Sequence, residues 1–332
     1  MKAAQIKKYS KEIKISINEI PIPTPNENEA LIKIISAAVN PLDILQLTGS
    51  VRLIQDYKMP LTLGNECSGI VEKVGKDIKD FRVGDRVYTR LPIKKIGAFA
   101  EYVADHKALS KMPSGYDFMT AAAIPLAGLT AYQGLVEELE VQPGKTLLIT
   151  GASGSFGQIA VPIAKSMGLR VIVTGNIRSK EKLIKMGVDQ YLDYKKENYW
   201  EILTNIDYVI DTLGADEFEH ELSVLRRGGR LLSLRTAPNR MFAKRNDFSW
   251  LKRSLFTLAG SKFDSAARKQ GKEYRFMFVR SNGEQLKLVT EIVEKYHIIP
   301  DIDSRTFSLS QANEALMLMA NGKLNGKIII QM

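Results

Sequence analysis

Residues 146–175, with the sequence TLLITGASGSFGQIAVPIAKSMGLRVIVTG, constrain the fold of this chain more than any other stretch. An apolar run is followed by Gly151, Gly154 and Gly157, then by apolar residues at helical spacing, Gly168 and a second apolar run. Such glycines let the backbone approach a pyrophosphate, whose charge lies on the N–H groups that begin the helix. The stretch predicts a strand, a dinucleotide-binding turn, a helix and a second strand; a glycine turn without a nucleotide is the alternative.

The loop after the second predicted strand indicates which dinucleotide is favoured. A site for NAD needs an acidic residue about 20 positions beyond the first glycine, to bind the ribose 2′-hydroxyl. Here the first acid is Glu181, which follows Arg178 and Lys180. Cations suit a 2′-phosphate, and they are unusual at the start of a helix, which favours acids. We therefore expect NADPH, bound by Asn176, Arg178 and Lys182, although a solvated first helical turn is the alternative.

Composition favours a basic enzyme of two domains. The chain has 332 residues, of which 45% are hydrophobic, so it exceeds one ordinary domain. The formal net charge of +10 is spread without a basic arm, so we expect no nucleic acid partner. The single cysteine, Cys67, fits a reducing, cytoplasmic compartment. Residues 1–20 do not resemble a signal peptide and no apolar run reaches membrane-spanning length, so no membrane partner is expected.

The order of patterns along the chain predicts a discontinuous first domain. The N-terminal third contains short β-type runs broken by prolines and glycines, as in a small barrel. A helical stretch with a kink at Pro125 then leads into alternating helices and strands. A basic loop is predicted around 238–265, followed by helices and strands that can return to the first domain.

Seven blocks of sequence resemble the medium-chain dehydrogenase/reductase superfamily and together extend over nearly the whole chain. They are AAVNPLD (37–43), GNECSGIVEKVG (64–75), FRVGDRVY (81–88), GAFAEYV (97–103), AAAIPLAGLTAYQGL (121–135), GASGSFG (151–157) and GKIII (326–330). In that superfamily a GroES-like domain carries most of the substrate pocket and a Rossmann domain binds the nicotinamide cofactor. The resemblance implies an α/β fold, with a GroES-like β-rich domain at 1–122 and 266–332 and a Rossmann doubly wound parallel sheet at 123–265.

The zinc alcohol dehydrogenases of this superfamily hold a catalytic metal, and their ligands are not matched here. Asn40 stands where those enzymes have a cysteine, and Asn65 stands where they have a histidine. No cysteine or histidine near Ala127 supplies a third ligand, and the four-cysteine lobe of the structural zinc is missing. Catalytic zinc needs three protein ligands and an open position. We expect no bound metal, since the histidines are far apart in sequence, at His106, His220 and His297.

Loss of the metal changes the expected substrate, because zinc would polarise a simple carbonyl. Acceptors that delocalise charge remain, such as quinones and α,β-unsaturated carbonyls. The zinc-free members that this chain resembles are quinone oxidoreductases and NADPH-dependent enone or alkenal reductases, with the closest likeness in the NPxD block and residues 274–286. The resemblance implies hydride transfer to an enone β-carbon or a quinone ring, with this small molecule as the partner.

Two other functions remain open. Basic residues within 240–253 could bind the pantetheine arm of an enoyl thioester, the substrate of an enoyl-thioester reductase. The basic stretch 238–272 could instead serve a non-enzymatic NADPH-binding or RNA-binding role, as in crystallin-like relatives, although no stacking aromatic platform accompanies it. The simpler interpretation of this basic stretch is a lid or a subunit contact. The family resemblance separately implies a homodimer.

Four residues are candidates for catalysis: Asn40, Asp43, Tyr57 and Asn65. The resemblance implies that Asn40 and Asp43 line the pocket, where the Asn40 amide could donate to a carbonyl oxygen in place of zinc. Asn-Pro-x-Asp is equally a turn and cap motif. Tyr57 or Lys58 could supply a proton, as could water, although loop tyrosines more often pack. Asn65 would brace the pocket through hydrogen bonds.

Cofactor contacts are implied where the chain matches family positions. The pyrophosphate turn comprises Gly151, Ala152, Ser153, Gly154, Ser155, Phe156 and Gly157. Thr130 would touch the nicotinamide end and Tyr194 would lie near the adenosine. The nicotinamide ribose would be bordered by Leu213, Leu234, Phe276 and Phe278, and the far side of the cofactor by Asn325 and Lys327. The spacing of two between the phenylalanines also fits a buried strand face.

Overall fold

The chain divides into two compact units in the computed structural model, which describes residues 1–105, 108–322 and 324–332. The first unit combines Met1–Leu129 with Arg280–Met332, and the second unit is Thr130–Val279. The domain divisions expected from the sequence, at 122/123 and 265/266, lie earlier in the chain than both of these.

The first unit is built mainly from antiparallel β-sheet. Its strands are β1 (Lys2–Ile6), β2 (Ser16–Glu19), β3 (Ala30–Ala38), β4 (Leu61–Thr62), β5 (Glu66–Val74), β6 (Arg86–Arg90), β7 (Tyr102–Asp105), β8 (Leu109–Lys111), β15 (Ile302–Ser308) and β16 (Lys327–Gln331). The smaller sheet has the order β2-β1-β4, and the larger has the order β15-β16-β3-β5-β6-β8, with β7 also paired to β3. The predicted β-rich character of this region is confirmed.

Strand β3 occupies the centre of the larger sheet. Seven of its nine residues are buried, and it pairs with β5 so that Ala38 lies opposite Glu66. On its other side it pairs with β16, where Ala38 lies opposite Ile329. Gly69 of β5 packs so tightly on β3 that a Cβ atom there would overlap the backbone oxygen of Lys33. This ladder brings together the end of β3, the beginning of β5 and the beginning of β16.

Five helices begin in the first unit, among the residues described. They are α1 (Pro41–Thr48), α2 (Phe118–Ala122), α3 (Pro125–Gln133), α11 (Gly283–Tyr296) and α12 (Ala312–Asn321). Pro125 begins α3 instead of kinking one longer helix, which corrects the predicted kink. Proline has no N–H for the preceding turn, but the first position of a new helix does not need one. A short π-helical turn, Gly134–Glu138, continues α3.

The stretch Phe118–Glu138 is long and apolar enough, by length and composition alone, to cross a membrane. Sequence inspection did not identify it, because glycines, threonines and a proline interrupt its apolar residues. In the structure 67% of its apolar window is buried inside the protein, and the core helix of a water-soluble protein passes the same test. One such stretch is weak evidence for a membrane, and the expected absence of a membrane partner stays a prediction.

The second unit contains a parallel sheet of six strands. They are β9 (Thr146–Ile149), β10 (Arg170–Gly175), β11 (Gln190–Asp193), β12 (Ile206–Asp211), β13 (Leu225–Ser233) and β14 (Glu273–Phe276). Their order is β11-β10-β9-β12-β13-β14, and each neighbouring pair is parallel. The predicted doubly wound sheet is confirmed. Ligands of such sheets bind beyond the carboxyl ends of the strands, where the strand order reverses; here that point lies between β9 and β12.

The region predicted as a basic loop is helical, so that prediction was wrong. The helices of the second unit are α4 (Ser155–Ser166), α5 (Lys180–Lys185), α6 (Tyr199–Ile202), α7 (Phe218–Val224), α8 (Arg240–Arg245), α9 (Trp250–Ala259) and α10 (Ser261–Lys269). Asn239 Oδ1 accepts the N–H of Phe242 at 3.0 Å and so caps α8. The ring of Phe242 also packs on those of Phe248, Phe256 and Phe276. This aromatic packing stabilises the helices, and a count of basic residues in the sequence does not reveal it.

The second predicted domain division is too early because it separates β14 from its sheet. Leu231 of β13 lies opposite Tyr274 of β14 in a parallel ladder. The residues up to Val279 therefore belong to the second unit.

Candidate active site and cofactor site

Helix α1 begins at a motif that joins two of the predicted catalytic residues. Asn40 precedes the helix with extended backbone, and Pro41 takes the first helical position. The N–H of Asn40 donates to Asp43 Oδ2 at 2.7 Å, and both side chains are buried. The motif therefore does cap a helix, and the cap holds the Asp43 carboxyl group inside the first unit.

A buried ion pair lies beside this cap. Lys327 Nζ and Glu66 Oε1 are 2.8 Å apart, and their side chains are only 3% and 0% exposed. Lys327 Nζ also donates to Asn40 Oδ1 at 2.5 Å, while Glu66 Oε2 accepts the N–H of Leu126 at 2.6 Å. Buried charges need such partners, because an isolated one is very costly. The structure thus places Lys327, a predicted cofactor contact, in a network with Asn40 and Glu66.

The side-chain amide of Asn40 has no hydrogen left for a substrate carbonyl. Its Nδ2 donates to Glu66 Oε1 at 2.8 Å and to the backbone oxygen of Ala38 at 3.2 Å. An amide nitrogen carries two hydrogens, and both are used. These bonds do not support the predicted role of Asn40 as a carbonyl donor. The amide orients Glu66 and Lys327 instead.

A chain of hydrogen bonds leads from Asp43 to Tyr57. Asn65 Nδ2 donates to Asp43 Oδ1 and to Gln46 Oε1, both at 2.7 Å. Gln46 Nε2 donates to Asn65 Oδ1 at 3.1 Å and to the Tyr57 hydroxyl at 3.0 Å. Both amides are therefore saturated, whereas the Tyr57 proton has no acceptor among the residues that the structure describes. The four predicted catalytic residues thus lie in one connected network.

Gln46 is a member of this network that sequence reasoning missed. It lies three residues after Asp43 on α1 and is fully buried. Residues three apart on a helix share a face, and a fully buried glutamine is unusual. A search for polar residues on the Asp43 face of the predicted helix would have found it.

Burial sets the protonation of two groups in the network. It raises the pKa of Asp43 to about 7, against the opposing effects of the Asn40 N–H and the Asn65 amide. Burial also raises the pKa of Tyr57, and both the hydrogen bond from Gln46 and the positive charge of Arg90 lower it. At neutral pH Tyr57 is therefore a neutral phenol, and Asp43 is present in both forms. Carboxyl groups that titrate near neutrality are frequent at functional sites.

The glycine turn of the second unit leaves one open face. Gly151 has a φ of +66°, and a Cβ atom there would lie 2.5 Å from Thr212 Oγ1. A Cβ atom on Gly157 would overlap the backbone of Ala152. Gly154, which precedes α4, has no atom of the described residues within 4 Å of its Cβ position. Two glycines therefore allow tight packing, while the third faces open space in the described structure, beside the N–H groups that begin α4, which fits a pyrophosphate.

Next to the turn, the end of β10 presents a positively charged group. Arg178 is exposed, and no hydrogen bond or ion pair engages its side chain within the described part of the chain. Glu181, the nearest acid, is bound by Lys185 Nζ at 2.6 Å. Asn176 Oδ1 accepts the N–H of Ser179 at 3.3 Å, and Lys182 Nζ donates to Gln158 Oε1 at 3.0 Å. Of the three predicted contacts, Arg178 therefore presents the most accessible donors for a phosphate.

Two known protein families match different parts of this chain. The family described as "Alcohol dehydrogenase GroES-like domain" matches residues 26–114, and the family described as "Zinc-binding dehydrogenase" matches residues 186–330. A 2-methylene-furan-3-one reductase from Solanum lycopersicum is 30% identical over 323 residues, which cover 94% of this chain and 74% of the relative. The chain belongs to the medium-chain dehydrogenase/reductase superfamily.

Relatives within this superfamily carry the names of enone and quinone oxidoreductases. An NADPH-dependent alkenal/one oxidoreductase from Arabidopsis thaliana, a chloroplastic protein, is 28% identical over 94% of this chain and 74% of its own length. The structure of the quinone oxidoreductase from Coxiella burnetii has a TM-score of 0.83 and 26% identity, and covers 100% of this chain and 99% of its own. The GroES-like and Rossmann domains and the resemblance to this group are confirmed.

The donor groups of this superfamily member do not fit a zinc ion, although one matching family is described as zinc-binding. Residues 1–105, 108–322 and 324–332 contain no group of three or more His, Cys, Asp or Glu that could hold a metal. Burial raises the pKa of the Cys67 thiol, which opposes formation of a thiolate ligand. His220 stacks on Trp200, and His106 lies outside the described residues. The interpretation that the chain needs no zinc remains a proposal.

The other predicted cofactor residues fall into three groups. Tyr194, Leu213 and Leu234 follow the carboxyl ends of β11, β12 and β13, the edge where a doubly wound sheet binds ligands. Phe276 is a core residue whose ring contacts Phe242 at 5.2 Å, as the alternative interpretation expected. The remaining members are Thr130 and Phe278, both half-buried in the second unit, and Asn325, exposed in the first unit.

Proposed function

We propose that the chain is an NADPH-dependent oxidoreductase that transfers hydride to quinones or to the C=C bond of α,β-unsaturated carbonyls. The observation that carries this proposal is the buried network of the first unit. Asn40 and Asn65 stand at positions of metal ligands in the zinc enzymes, and they bind Lys327, Glu66 and Asp43 instead. A conjugated acceptor needs less polarisation than a simple ketone, because its negative charge delocalises.

The second unit supplies the residues that bind the cofactor. The open face at Gly154 and the N–H groups that begin α4 hold the pyrophosphate, and Arg178 holds the 2′-phosphate. Bound NADPH supplies the hydride from its nicotinamide C4. The names of the relatives, which include an NADPH-dependent alkenal/one oxidoreductase, support this choice of cofactor.

The first unit supplies the group that handles the oxygen of the acceptor. Reduction of an enone or a quinone places negative charge on that oxygen, where a hydrogen-bond donor stabilises it. The amides of Asn40, Asn65 and Gln46 are saturated. The hydroxyl of Tyr57 accepts from Gln46 and is half-buried, so its proton is oriented away from Gln46. Tyr57 is therefore the residue that binds this oxygen and returns a proton to the reduced product.

Steady-state assays test the proposed function. Oxidation of NADPH is followed with 1,4-benzoquinone, 9,10-phenanthrenequinone, a short enone and an enoyl-CoA, and each acceptor is repeated with NADH. We expect turnover with the quinones or the enone, and a preference for NADPH. Turnover of the enoyl-CoA alone would favour the enoyl-thioester reductase, which the named relatives do not favour. If no acceptor oxidises NADPH, the oxidoreductase proposal is wrong.

Three finer proposals accompany this function. The chain acts without zinc, so dialysis against a chelator leaves turnover unchanged. It forms a homodimer through an edge of the Rossmann sheet, which light scattering after size-exclusion chromatography measures. It resides in the cytoplasm, as the single, buried Cys67 suggests; fractionation of source cells tests this, since one named relative is chloroplastic.

A further inference from the structure

Arg90, at the end of β6, carries buried donors that no group among the described residues satisfies. The residue is fully buried, and its Nη1 donates to the backbone oxygen of Leu91 at 2.7 Å. Its Nε and Nη2 are also buried, and neither has a hydrogen-bond partner among the residues that the structure describes. Buried donors are nearly always paired, and leaving one unpaired is costly. Two unpaired donors on one guanidinium therefore require an explanation.

Within residues 1–105, 108–322 and 324–332, no carboxylate neutralises this guanidinium by direct contact. Arg90 lies opposite Glu66 in the β5–β6 ladder. The oxygens of Glu66, however, are bound to Lys327, Asn40 and the N–H of Leu126. Burial lowers the pKa of Arg90 to about 10, and the charges of nearby acidic groups oppose this effect. Arg90 therefore remains a cation at neutral pH.

A short series of hydrogen bonds connects the residue after Arg90 to Tyr57. The N–H of Leu91, the residue after Arg90, donates to the backbone oxygen of Asn65 at 2.8 Å. The Asn65 side chain bonds Gln46, and Gln46 bonds the Tyr57 hydroxyl. The positive charge of Arg90 is one of the effects that lower the pKa of Tyr57 against burial. In the described part of the chain, the Tyr57 hydroxyl proton has no acceptor and the Arg90 cation has no counter-ion, and the two thus belong to one bonded cluster.

We propose that Arg90 is a positioning residue that acts through Tyr57, as a buried positive charge behind the phenol that stabilises an oxyanion bound to the Tyr57 hydroxyl. The proposal rests on the proposed function. For an enone, the hydride leaves the nicotinamide C4 and forms a C–H bond at the β-carbon. The Cα=Cβ electron pair becomes the C=C bond of an enolate, and the electron pair of the C=O π bond moves onto the carbonyl oxygen. Tyr57 donates its proton to this oxygen and regains one from water, and the enol then tautomerises to the saturated ketone by taking a water proton at the α-carbon and releasing the hydroxyl proton. Arg90 thereby supplies part of the electrostatic assistance that a metal would give.

A binding experiment tests the oxyanion site without turnover. The enzyme with NADP⁺ is titrated with 4-nitrophenol, whose neutral and anionic forms have different absorption spectra, and with 4-nitroanisole as an uncharged control ligand. We expect the wild-type protein to favour the bound phenolate. Arg90→Met should weaken phenolate binding by about tenfold or more and leave 4-nitroanisole binding unchanged, whereas Arg90→Lys should retain most of the preference. An unchanged phenolate preference in Arg90→Met, or no phenolate binding by the wild type, overturns the proposal.

A double-mutant cycle tests whether Arg90 acts through Tyr57. With an enone, Arg90→Met should lower kcat by about tenfold and leave the KM for NADPH unchanged. In a Tyr57→Phe background the same change should have little further effect, because the group through which Arg90 acts is gone. Losses that multiply contradict the proposal and assign Arg90 an independent role.

Two controls separate this proposal from folding and from the proposed function. Arg90→Met removes a buried charge that no direct ion pair engages among the described residues, and thermal unfolding of Arg90→Met and Arg90→Lys shows which variants remain folded. If Arg90→Met does not fold, Arg90→Lys and Tyr57→Phe carry the comparison, and equal phenolate binding by Tyr57→Phe and wild type contradicts the site. If the wild-type protein oxidises no NADPH, the proposed function fails, but the 4-nitrophenol titration still decides on Arg90.

Discussion

Each unit buries a glutamate close to its predicted site, and the two glutamates have opposite surroundings. Glu66 of the first unit accepts hydrogen bonds at both oxygens and pairs with the ammonium of Lys327. Glu221 of the second unit accepts from Thr150 Oγ1 at 2.6 Å, and its Oε2 is buried without a hydrogen-bond partner among the described residues. Burial, together with the charge of Asp211, raises the pKa of Glu221 well above its ordinary value.

The difference follows from what each glutamate lies next to. Thr150 directly precedes the glycine turn, so Glu221 lies beside the segment that we expect to bind a pyrophosphate. Its raised pKa favours the neutral form of the carboxyl group, which would not repel the phosphates. Glu66 instead anchors a cation and two amides, and buried polar networks of this kind fix one arrangement of their side chains. Burial raises the pKa of one carboxyl group, and the other carboxyl group is paired with a lysine.

Removal of the lysine should produce the largest effect. Lys327→Met leaves Glu66 buried without its cation, and we expect a loss of about 3–5 kcal/mol in the free energy of unfolding, as for other broken buried pairs. Urea denaturation measures this loss. The double variant Glu66→Gln/Lys327→Met should recover much of it, because no uncompensated charge remains. Equal losses in the single and double variants would show that packing, and not charge, is the function of Lys327.

A matched control uses a lysine of the second unit. Lys185 pairs with Glu181 on the surface, and both side chains are largely exposed. Lys185→Met should change stability by less than about 1 kcal/mol, because exposed ion pairs contribute little. A large loss in this variant would remove the contrast between the two kinds of pair.

The second largest expected effect concerns the cofactor. It tests whether the second unit binds the anionic 2′-phosphate through Arg178. Arg178→Ala should remove hydrogen bonds to the 2′-phosphate, each worth about 1.5–3 kcal/mol when the acceptor is charged. The KM for NADPH should therefore rise by about tenfold to a hundredfold, while the KM for NADH stays the same. Lys185→Ala serves as the control and should alter neither value. A similar rise for both cofactors in Arg178→Ala would mean that Arg178 does not recognise the 2′-phosphate.

The two sites also differ in how far the sequence predicts them. The dinucleotide-binding turn can be predicted because the spacing of Gly151, Gly154 and Gly157 specifies its backbone geometry within one short segment. The network of the first unit is assembled by the fold: Lys327 reaches Asn40 across 287 positions, and no local pattern indicates that contact. Asn40 and Asn65 were found only through their resemblance to metal ligands. Gln46 and Arg90 were missed because their significance lies in their burial.

The same distinction explains the errors about the fold. Pro125 was predicted to kink one helix, since the sequence shows a proline but not the cap that starts a new helix. The many charged residues of the stretch 238–265 predict a loop. Phe242 packs on Phe256 and also on Phe276, which belongs to a distant strand, and this packing stabilises the helices. The sequence shows which residues each segment contains, but it does not show which distant residues they contact in the folded protein.

A smaller effect separates the two roles of glycine in the turn. A methyl group on Gly157 would overlap the Ala152 backbone, so Gly157→Ala should lower stability by about 1–3 kcal/mol, as overpacking does. Gly154→Ala meets open space within the protein and serves as the matched variant. It should unfold at nearly the wild-type temperature but bind NADPH more weakly, because its methyl group faces the expected pyrophosphate. Calorimetry and NADPH fluorescence titration distinguish the two, and unaltered NADPH binding by Gly154→Ala would move the pyrophosphate elsewhere.

The smallest expected effect concerns Glu221, the second glutamate of the comparison. Its replacement should raise stability relative to wild type as pH rises, whereas replacement of Lys327 should lower stability. The folded-state pKa of Glu221 is raised, so the native protein holds a proton that the unfolded chain releases above its ordinary value near 4.5. This group's contribution to stability is therefore complete below that value and is lost as pH rises toward the folded-state pKa. Glu221→Gln keeps an acceptor for Thr150 but cannot ionise. Its stability relative to wild type should increase by about 1 kcal/mol between mildly acidic and mildly alkaline pH, as thermal unfolding across that range measures. A stability difference that does not change with pH would mean that Glu221 is as ionised in the folded protein as in the unfolded chain, and the contrast with Glu66 would disappear.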